Sequence, residues 1–171
     1  QAVDPAFAPL AVPTAAEAWG ALFGYALIIY LDFSAYCDIA LGVARLYGFV
    51  LSENFDWPYL APSITAFWQR WHITLSNWLR DYIFLPLSVV LGRSPSLRDA
   101  PVLTGGICAL VTMLACGLWH GDTWAFVLWG LAHGMASALH QAYRQKVVGA
   151  LPAKRRKQLA ASATYRVAAT L

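Results

Sequence analysis

The stretch from Cys116 to Gly134 carries Trp119-His120-Gly121 within an apolar run long enough to sit in a bilayer. Histidine titrates near neutrality and suits general acid–base work: taking a proton from a hydroxyl and returning it to a leaving group. In hydrocarbon, an imidazole needs a partner, a wet cavity or a chemical role. Three tryptophans and four glycines share the stretch, setting bulky walls beside points of close backbone approach. A second histidine, His72, stands among Trp68, Trp71 and Trp78 and beside Arg70, Ser76, Asn77, Arg80 and Asp81. Either histidine alone reads equally well as a packed, hydrogen-bonded link between helices. Two of them, each among tryptophans and beside a polar or glycine break, point to catalysis.

Other chemistries fit less well. No HExxH or Cys/His ligand spacing occurs, and His133 and His140 stand two helical turns apart, so no metal site is expected. The 13-residue separation of His120 and His133 resembles a membrane cytochrome's haem spacing, but each haem would need a second axial histidine and His72 supplies only one. A non-enzymatic scaffold or channel is the rival from another class. The odd set Cys37, Cys108 and Cys116 lies in apolar surroundings and reads as small buried hydrophobes rather than a disulfide framework. Nothing adjacent to Cys37 would activate its thiol.

Of the 171 residues, 59% are hydrophobic and 12% are charged. A soluble domain carries roughly a quarter charged residues, and a globule this small could not hide so much apolar surface. The composition therefore points to an integral membrane protein. Much of the net charge of +3 comes from Lys154-Arg155-Arg156-Lys157. This cluster follows an apolar segment and fits a positive-inside anchor on the cytoplasmic face rather than a nucleic-acid site.

Elements must then position the histidines. Residues 1–14, with Pro5, Pro9 and Pro13, read as an irregular lead-in. Ala15–Leu31 is one crossing long. Asp32 to Asp38 interrupts it, and Ile39–Leu51 follows as a second apolar segment carrying Arg45. Asp32 and Asp38 are expected to face a cavity or pair with a base such as Arg45, or else to mark a helix end at the interface. After the Pro-punctuated loop 52–62, Ser63 caps a helix over Ile64–Leu87. Its helical spacing groups Arg70, Thr74, Asn77 and Asp81 on one face and His72, Ser76 and Leu79 on another. Such a helix lies in the interface or dips partway into the membrane. Val102–Leu118 and Thr123–Tyr143 form a pair of spans turning at Trp119-His120-Gly121. With Arg93 and Arg98 before the pair and the basic cluster after it, both outer ends are expected to be cytoplasmic. The expected fold is all-α: a polytopic integral membrane protein of helices with interfacial or re-entrant pieces.

Three blocks resemble the membrane-bound O-acyltransferase family, in its bacterial branch of alginate O-acetylation proteins and teichoic-acid D-alanyl transferases. The first runs Tyr30-Leu31-Asp32-Phe33-Ser34-Ala35-Tyr36-Cys37-Asp38 to Gly42. The second runs from Glu53-Asn54-Phe55 through Phe67-Trp68-Gln69-Arg70-Trp71-His72 to Leu79-Arg80-Asp81-Tyr82-Ile83. The third is the Trp119-His120-Gly121 block. Their order and spacing match over residues 20–140. With Gln1 at its start and no basic region before the first apolar run, the chain is expected to be a piece of something larger, and the resemblance implies the C-terminal half of a longer multi-span protein.

The resemblance implies a tunnel that meets near mid-membrane, bringing an acyl donor from one side to an acceptor from the other. His120 would take the proton from an acceptor hydroxyl, and His72 would orient a reactant or polarise the acyl carbonyl. Trp68, Trp71, Ser76, Asn77, Trp119, Asp32 and Asp38 would line the tunnel. Arg70, Arg80 and Asp81 would hold the interfacial helix or flank the donor's way in, the structural role being favoured. His133 would be a structural hydrogen-bonding residue, and His140, outside any motif, an interfacial one. Residues 15–145 would form the catalytic core and residues 146–171 a basic cytoplasmic tail or the start of a further segment.

The implied activity is transfer of an acyl group, acetyl in the simplest case, from a thioester toward hydroxyls of an exported polysaccharide such as alginate, or of another cell-envelope polymer. D-alanyl transfer is the variant. Acetyl-CoA would be a substrate, with no bound cofactor. The partners would be the lipid bilayer, the polymer and a periplasmic or membrane-anchored acetyltransferase; the location would be the bacterial inner membrane. The chain departs from the branch at Ala35 and Cys37, where glycine and serine are usual, and this speaks against a thiol nucleophile. It departs again at Ser88–Arg93, where a glycine-rich turn is absent.

Overall fold

The computed structural model describes residues 14–162. The lead-in expected over residues 1–13 and the end of the basic tail, 163–171, lie outside the described residues. Those described are helical, with no strand among them. The chain divides into two units, residues 1–52 and 53–171.

The first unit is one long helix, α1, over Ala15–Leu46. Thr14 and Glu17 form a reciprocal capping box: Thr14 Oγ1 accepts from the Glu17 N–H at 3.3 Å, and Glu17 Oε2 accepts from the Thr14 N–H at 2.8 Å. The helix ends in a Schellman arrangement. Gly48 sits at φ +81°, its N–H donates to Arg45 O, and the Phe49 N–H donates to Ala44 O. The interruption expected at Asp32–Asp38, and with it a separate segment over Ile39–Leu51, is therefore corrected to continuous helix. Aspartate costs a helix only about 0.7 kcal/mol, too little to end one before a residue suited to a positive φ arrives. At 32 residues, α1 is about 48 Å long, more than the hydrocarbon core of a bilayer. Leu22, Phe23, Ile28, Leu31 and Ile39 are exposed along it.

The second unit holds the histidines. Its first helix, α2, is Ile64–Trp68, and Ser63 caps it as expected, accepting from the Ala66 N–H at 3.2 Å. The single helix expected over Ile64–Leu87 is corrected at two places. The first break is at His72, whose backbone is left-handed at φ +43°, a conformation costly for any residue but glycine. The next helix, α3, then covers Ile73–Leu79. The second break is a widened π-type turn over Arg80–Phe84, after which α4 runs Leu85–Gly92. Pro86 has no N–H, and its ring would press on the carbonyl four residues back in a regular helix. A π turn just before it relieves that clash. Because of these breaks, Arg70 and Asp81 do not share one regular helix with Asn77.

A short helix, α5 (Pro95–Arg98), leads into α6 (Pro101–His120) and α7 (Trp124–Tyr143). Residues 121–123 join the last two into an antiparallel hairpin. Glycines let the two backbones touch: a β-carbon on Gly130 would lie 2.6 Å from Met113 O, and one on Gly134 would lie 2.9 Å from Leu110 Cα. Leu79, Met113 and Cys116 form the buried centre, with Trp68, Leu75, Ile83 and Trp129 packed against it. Cys108 and Cys116 are fully buried in this packing, as small hydrophobes. A π turn over Arg144–Val148 prolongs α7, and α8 (Ala153–Ala161) carries the basic cluster. Among the described helices, α1 and α6 are long and apolar enough to cross a membrane. α7 matches α6 in length, at 20 residues each.

Candidate active site

His120 is the last residue of α6 and stands exposed at the tip of the hairpin. Gly121 follows in extended conformation and leaves room for a ring: a β-carbon there would lie 2.6 Å from Phe126 Cε2. Phe126 stacks on the His120 imidazole, centroids 5.8 Å apart and planes 21° apart. Trp119 and Trp129 meet the same imidazole edge-on at 4.8 and 5.2 Å. Three aromatic rings thus fix the imidazole.

His72 also meets Trp119, at 6.4 Å between ring centroids. Its left-handed backbone is held by Asn54, eighteen residues earlier. The Ile73 N–H donates to Asn54 O at 2.9 Å, and the Thr74 N–H donates to Asn54 Oδ1 at 3.1 Å. Asn54 therefore caps the start of α3 from outside the helix. The same Oδ1 accepts from Thr74 Oγ1 at 3.0 Å and lies 3.2 Å from His72 Nδ1. Burial pushes the His72 pKa down, and the neighbouring His120 pushes it further. Neutral imidazole is the favoured form.

Trp71 turns away from the histidine pair into an aromatic cluster with Phe55, Tyr59 and Phe67, at 5.2, 6.0 and 5.6 Å. It pins the loop bearing Asn54 to α2. Trp68 packs edge-on against Trp129 at 5.8 Å and against His133 at 5.3 Å. His133 also lies 4.6 Å from Trp129, and its Nδ1 is buried with no hydrogen-bond partner among the described residues. His120 and His133 thus occupy different helices and share Trp129 between them, unlike two ligands along one haem-binding helix.

Behind Trp68 opens a cavity of about 510 Å³, lined in part by Ser76, Asn77, Arg80, His140 and Arg144. Of the residues expected to line a tunnel, Trp68, Ser76 and Asn77 meet here, while Trp119 stands with the histidines. Ser76 Oγ also donates to Trp71 O at 3.0 Å. Asp32 and Asp38 are exposed on α1, in the other unit. Arg80 Nε bonds Asp81 Oδ1 at 2.8 Å on the surface, and this bond raises the arginine's pKa. The Arg70 carbonyl accepts from the Asp56 N–H at 3.0 Å, closing the loop on the turn before His72.

Three contributors lacked a role in the sequence: Asn54, Phe126 and Trp129. His140 Nδ1 bonds Thr65 Oγ1 at 2.9 Å, tying the end of α7 to α2. Asn54 stood within a block already marked out, and its signal was the short polar side chain before Phe55. Among the described residues, no three His, Cys, Asp or Glu side chains gather into a metal-holding group.

The profile of the membrane-bound O-acyltransferase family matches residues 8–167. The chain belongs to the membrane-bound O-acyltransferase family. Similar proteins include a probable alginate O-acetylase AlgI of Azotobacter vinelandii, 42% identical over 142 residues, covering 82% of this chain and 26% of that protein. A peptidoglycan O-acetyltransferase of Helicobacter pylori is 39% identical over 127 residues, 74% of this chain and 23% of that protein. A teichoic acid D-alanyltransferase of Streptococcus thermophilus is 33% identical over 127 residues, 74% of this chain and 30% of that protein. The chain thus spans about a quarter of the length of such relatives. As a family member with two membrane-length helices, it is part of a membrane protein.

Proposed function

We propose that this acyltransferase-family chain supplies the histidine-bearing part of a multi-pass enzyme of the bacterial inner membrane. The enzyme moves an acyl group, acetyl first of all, from a cytoplasmic thioester such as acetyl-CoA toward hydroxyls of an exported polysaccharide. Alginate is the acceptor favoured by the 42% identity, with other cell-envelope polymers beside it. The observation that carries this is that His72 and His120 both meet the Trp119 ring, at 6.4 and 4.8 Å between centroids. D-alanyl transfer, named for a relative at 33% identity, shares the same step and ranks second.

In that step His120 takes the proton of the acceptor hydroxyl while its oxygen bonds to the thioester carbonyl carbon. The C–S bond then breaks, and the proton passes from the imidazolium to the leaving sulfur. General acid–base assistance of this kind is worth about 10²–10⁴-fold. The aromatic rings against His120 hold the imidazole in place, and an apolar surrounding completed by the rest of the enzyme would strengthen any hydrogen bond to the developing oxyanion.

Residues 15–145 form the catalytic core of this part, and residues 146–171 a basic cytoplasmic tail or the start of a further segment. The positive residues at both outer ends of the α6–α7 hairpin support a cytoplasmic position for those ends. His120 then lies about 30 Å along α6 from Pro101, at the far side of the bilayer or near it. The donor would approach a mid-membrane tunnel from the cytoplasm and the acceptor from the opposite face, with a periplasmic or membrane-anchored acetyltransferase receiving or placing the acyl group. The experiment is His120→Ala in the full-length protein, with polymer-bound ester normalised to membrane abundance. Near-complete loss of ester at normal abundance supports the proposal, and unchanged ester removes His120 from the chemistry.

A further inference from the structure

His72 shows which of its two nitrogens carries the hydrogen. Asn54 Oδ1 receives the Thr74 backbone N–H at 3.1 Å. A backbone N–H only donates, so the atom it meets is the carbonyl oxygen of the Asn54 amide and not its NH₂ group. That oxygen has no hydrogen to give, yet it lies 3.2 Å from His72 Nδ1. Nδ1 must therefore be the donor. In a neutral imidazole the remaining nitrogen, Nε2, then carries the lone pair.

The backbone agrees with this assignment. His72 sits at φ +43°, a conformation that costs roughly 1–3 kcal/mol and persists where surrounding contacts over-determine it. Asn54 supplies those contacts through both its main-chain and side-chain oxygens. One residue thus fixes where the imidazole is and which of its faces accepts a proton or hydrogen bond.

We propose that Asn54 is a positioning residue that locks His72 in its Nδ1–H tautomer, so that Nε2 accepts a hydrogen bond from a hydroxyl of the acyl acceptor. This rests on the acyl-transfer function proposed above and decides between the two roles the family resemblance left open for His72. A neutral ring with its lone pair at Nε2 cannot donate to the acyl carbonyl, so it does not polarise the donor. It holds the acceptor. A polysaccharide repeat offers several hydroxyls, and one held at His72 Nε2 leaves another to lose its proton to His120. No proton is transferred to His72 in this role.

The titratable group acting on His72 from the facing hairpin is His120, and Asn54 itself is uncharged. Replacing the amide by a carboxylate keeps every hydrogen bond at Oδ1 and adds a negative charge beside Nδ1–H. Opposite charge at this range shifts a pKa by about 1–3 units toward the charged form. The imidazolium would then form at higher pH and Nε2 would be lost as an acceptor there.

The test uses the full-length protein together with its acetyltransferase partner in lipid vesicles, with acetyl-CoA as donor and alginate oligosaccharides as acceptor. Asn54→Leu is expected to raise KM for the oligosaccharide at least tenfold while leaving KM for acetyl-CoA within twofold. Asn54→Asp is expected to restore that KM at pH 8 and to move the acid limb of kcat/KM for the oligosaccharide up by a pH unit or more. The move should vanish when His72→Gln is added. An unmoved acid limb in Asn54→Asp, or an equal rise in both KM values in Asn54→Leu, reduces Asn54 to a loop brace and overturns the proposal. Histidine-labelled nitrogen-15 spectra, assigned by the signals lost in His72→Gln, read the tautomer without turnover. A hydrogen on Nε2 overturns the proposal whatever the activity. A hydrogen on Nδ1 in a protein that transfers no acyl group leaves the tautomer standing and overturns the acceptor role together with the function on which it rests.

Discussion

Gly117 of α6 faces the carbonyl oxygen of Phe126 of α7 so closely that a β-carbon would collide with it. The contact lies one turn before His120, and Phe126 is the residue whose ring stacks on that imidazole. Helix approach and histidine placement are therefore one feature. Gly106, earlier on the same helix, differs: a β-carbon there would meet Ala138 Cβ at 3.6 Å, an ordinary contact.

Gly117→Ala should consequently destabilise the hairpin by about 1–3 kcal/mol, the usual cost of overpacking, and should lower ester formation per folded molecule. Gly106→Ala should be neutral or slightly stabilising, since alanine favours helix by up to about 1 kcal/mol over glycine. Thermal midpoints of the two variants in detergent, beside ester content in cells, check the contrast. Equal behaviour of the two would mean that the backbone contact does not set the tip.

Trp119 meets both His72 and His120, at 6.4 and 4.8 Å between ring centroids. Trp119→Ala should remove the spacer between them and cost about 100-fold in acyl transfer, the scale on which an ångström of misplacement is felt. Membrane abundance should stay near normal, because the ring is exposed at 63% and lies outside the buried centre. Initial rates with acetyl-CoA, scaled to protein, decide it. A loss matched by lost abundance would make Trp119 a packing residue.

The sequence made some of this arrangement legible and hid the rest for a physical reason. Local signals read correctly: the Ser63 cap and the two helices turning near Trp119-His120-Gly121. Each depends on residues within a few positions of one another. The Asp32–Asp38 interruption was a misjudgement of magnitude, because charge in an apolar helix is a solvation cost and does not break the backbone. The break at His72 was out of reach. Its left-handed turn exists because Asn54, far back in the chain, captures the N–H groups of Ile73 and Thr74. The π turn before Pro86 lay between these cases, since the proline signals strain but not how the chain relieves it.

His140, outside any motif, bonds Thr65 across the unit at 2.9 Å. Thr65→Val keeps the shape and removes the hydroxyl. The expected cost is about 0.5–1.5 kcal/mol, read as a lowered thermal midpoint, with ester formation per folded molecule unchanged. A double cycle with His140→Ala isolates the pair. Additive losses would show that the two residues do not act together.

His72 also makes stability depend on pH. Its pKa is lowered in the folded protein, first by burial and then by His120. In the unfolded chain the ring titrates near its ordinary value of about 6.5. On acidification the unfolded chain therefore takes up a proton that the folded protein does not. The unfolded state binds more protons, so stability rises with pH through this range and falls below it. The stabilisation tied to neutral His72 is fully present above about pH 6.5 and declines as the pH drops toward the folded pKa. Thermal midpoints of wild type and His72→Gln, followed from pH 8 to pH 5 in one detergent, test this. The wild-type midpoint should fall more steeply on the acid side, because glutamine does not titrate. Parallel curves would mean that His72 protonates as readily in the folded protein as in the unfolded chain, and that burial does not keep it neutral.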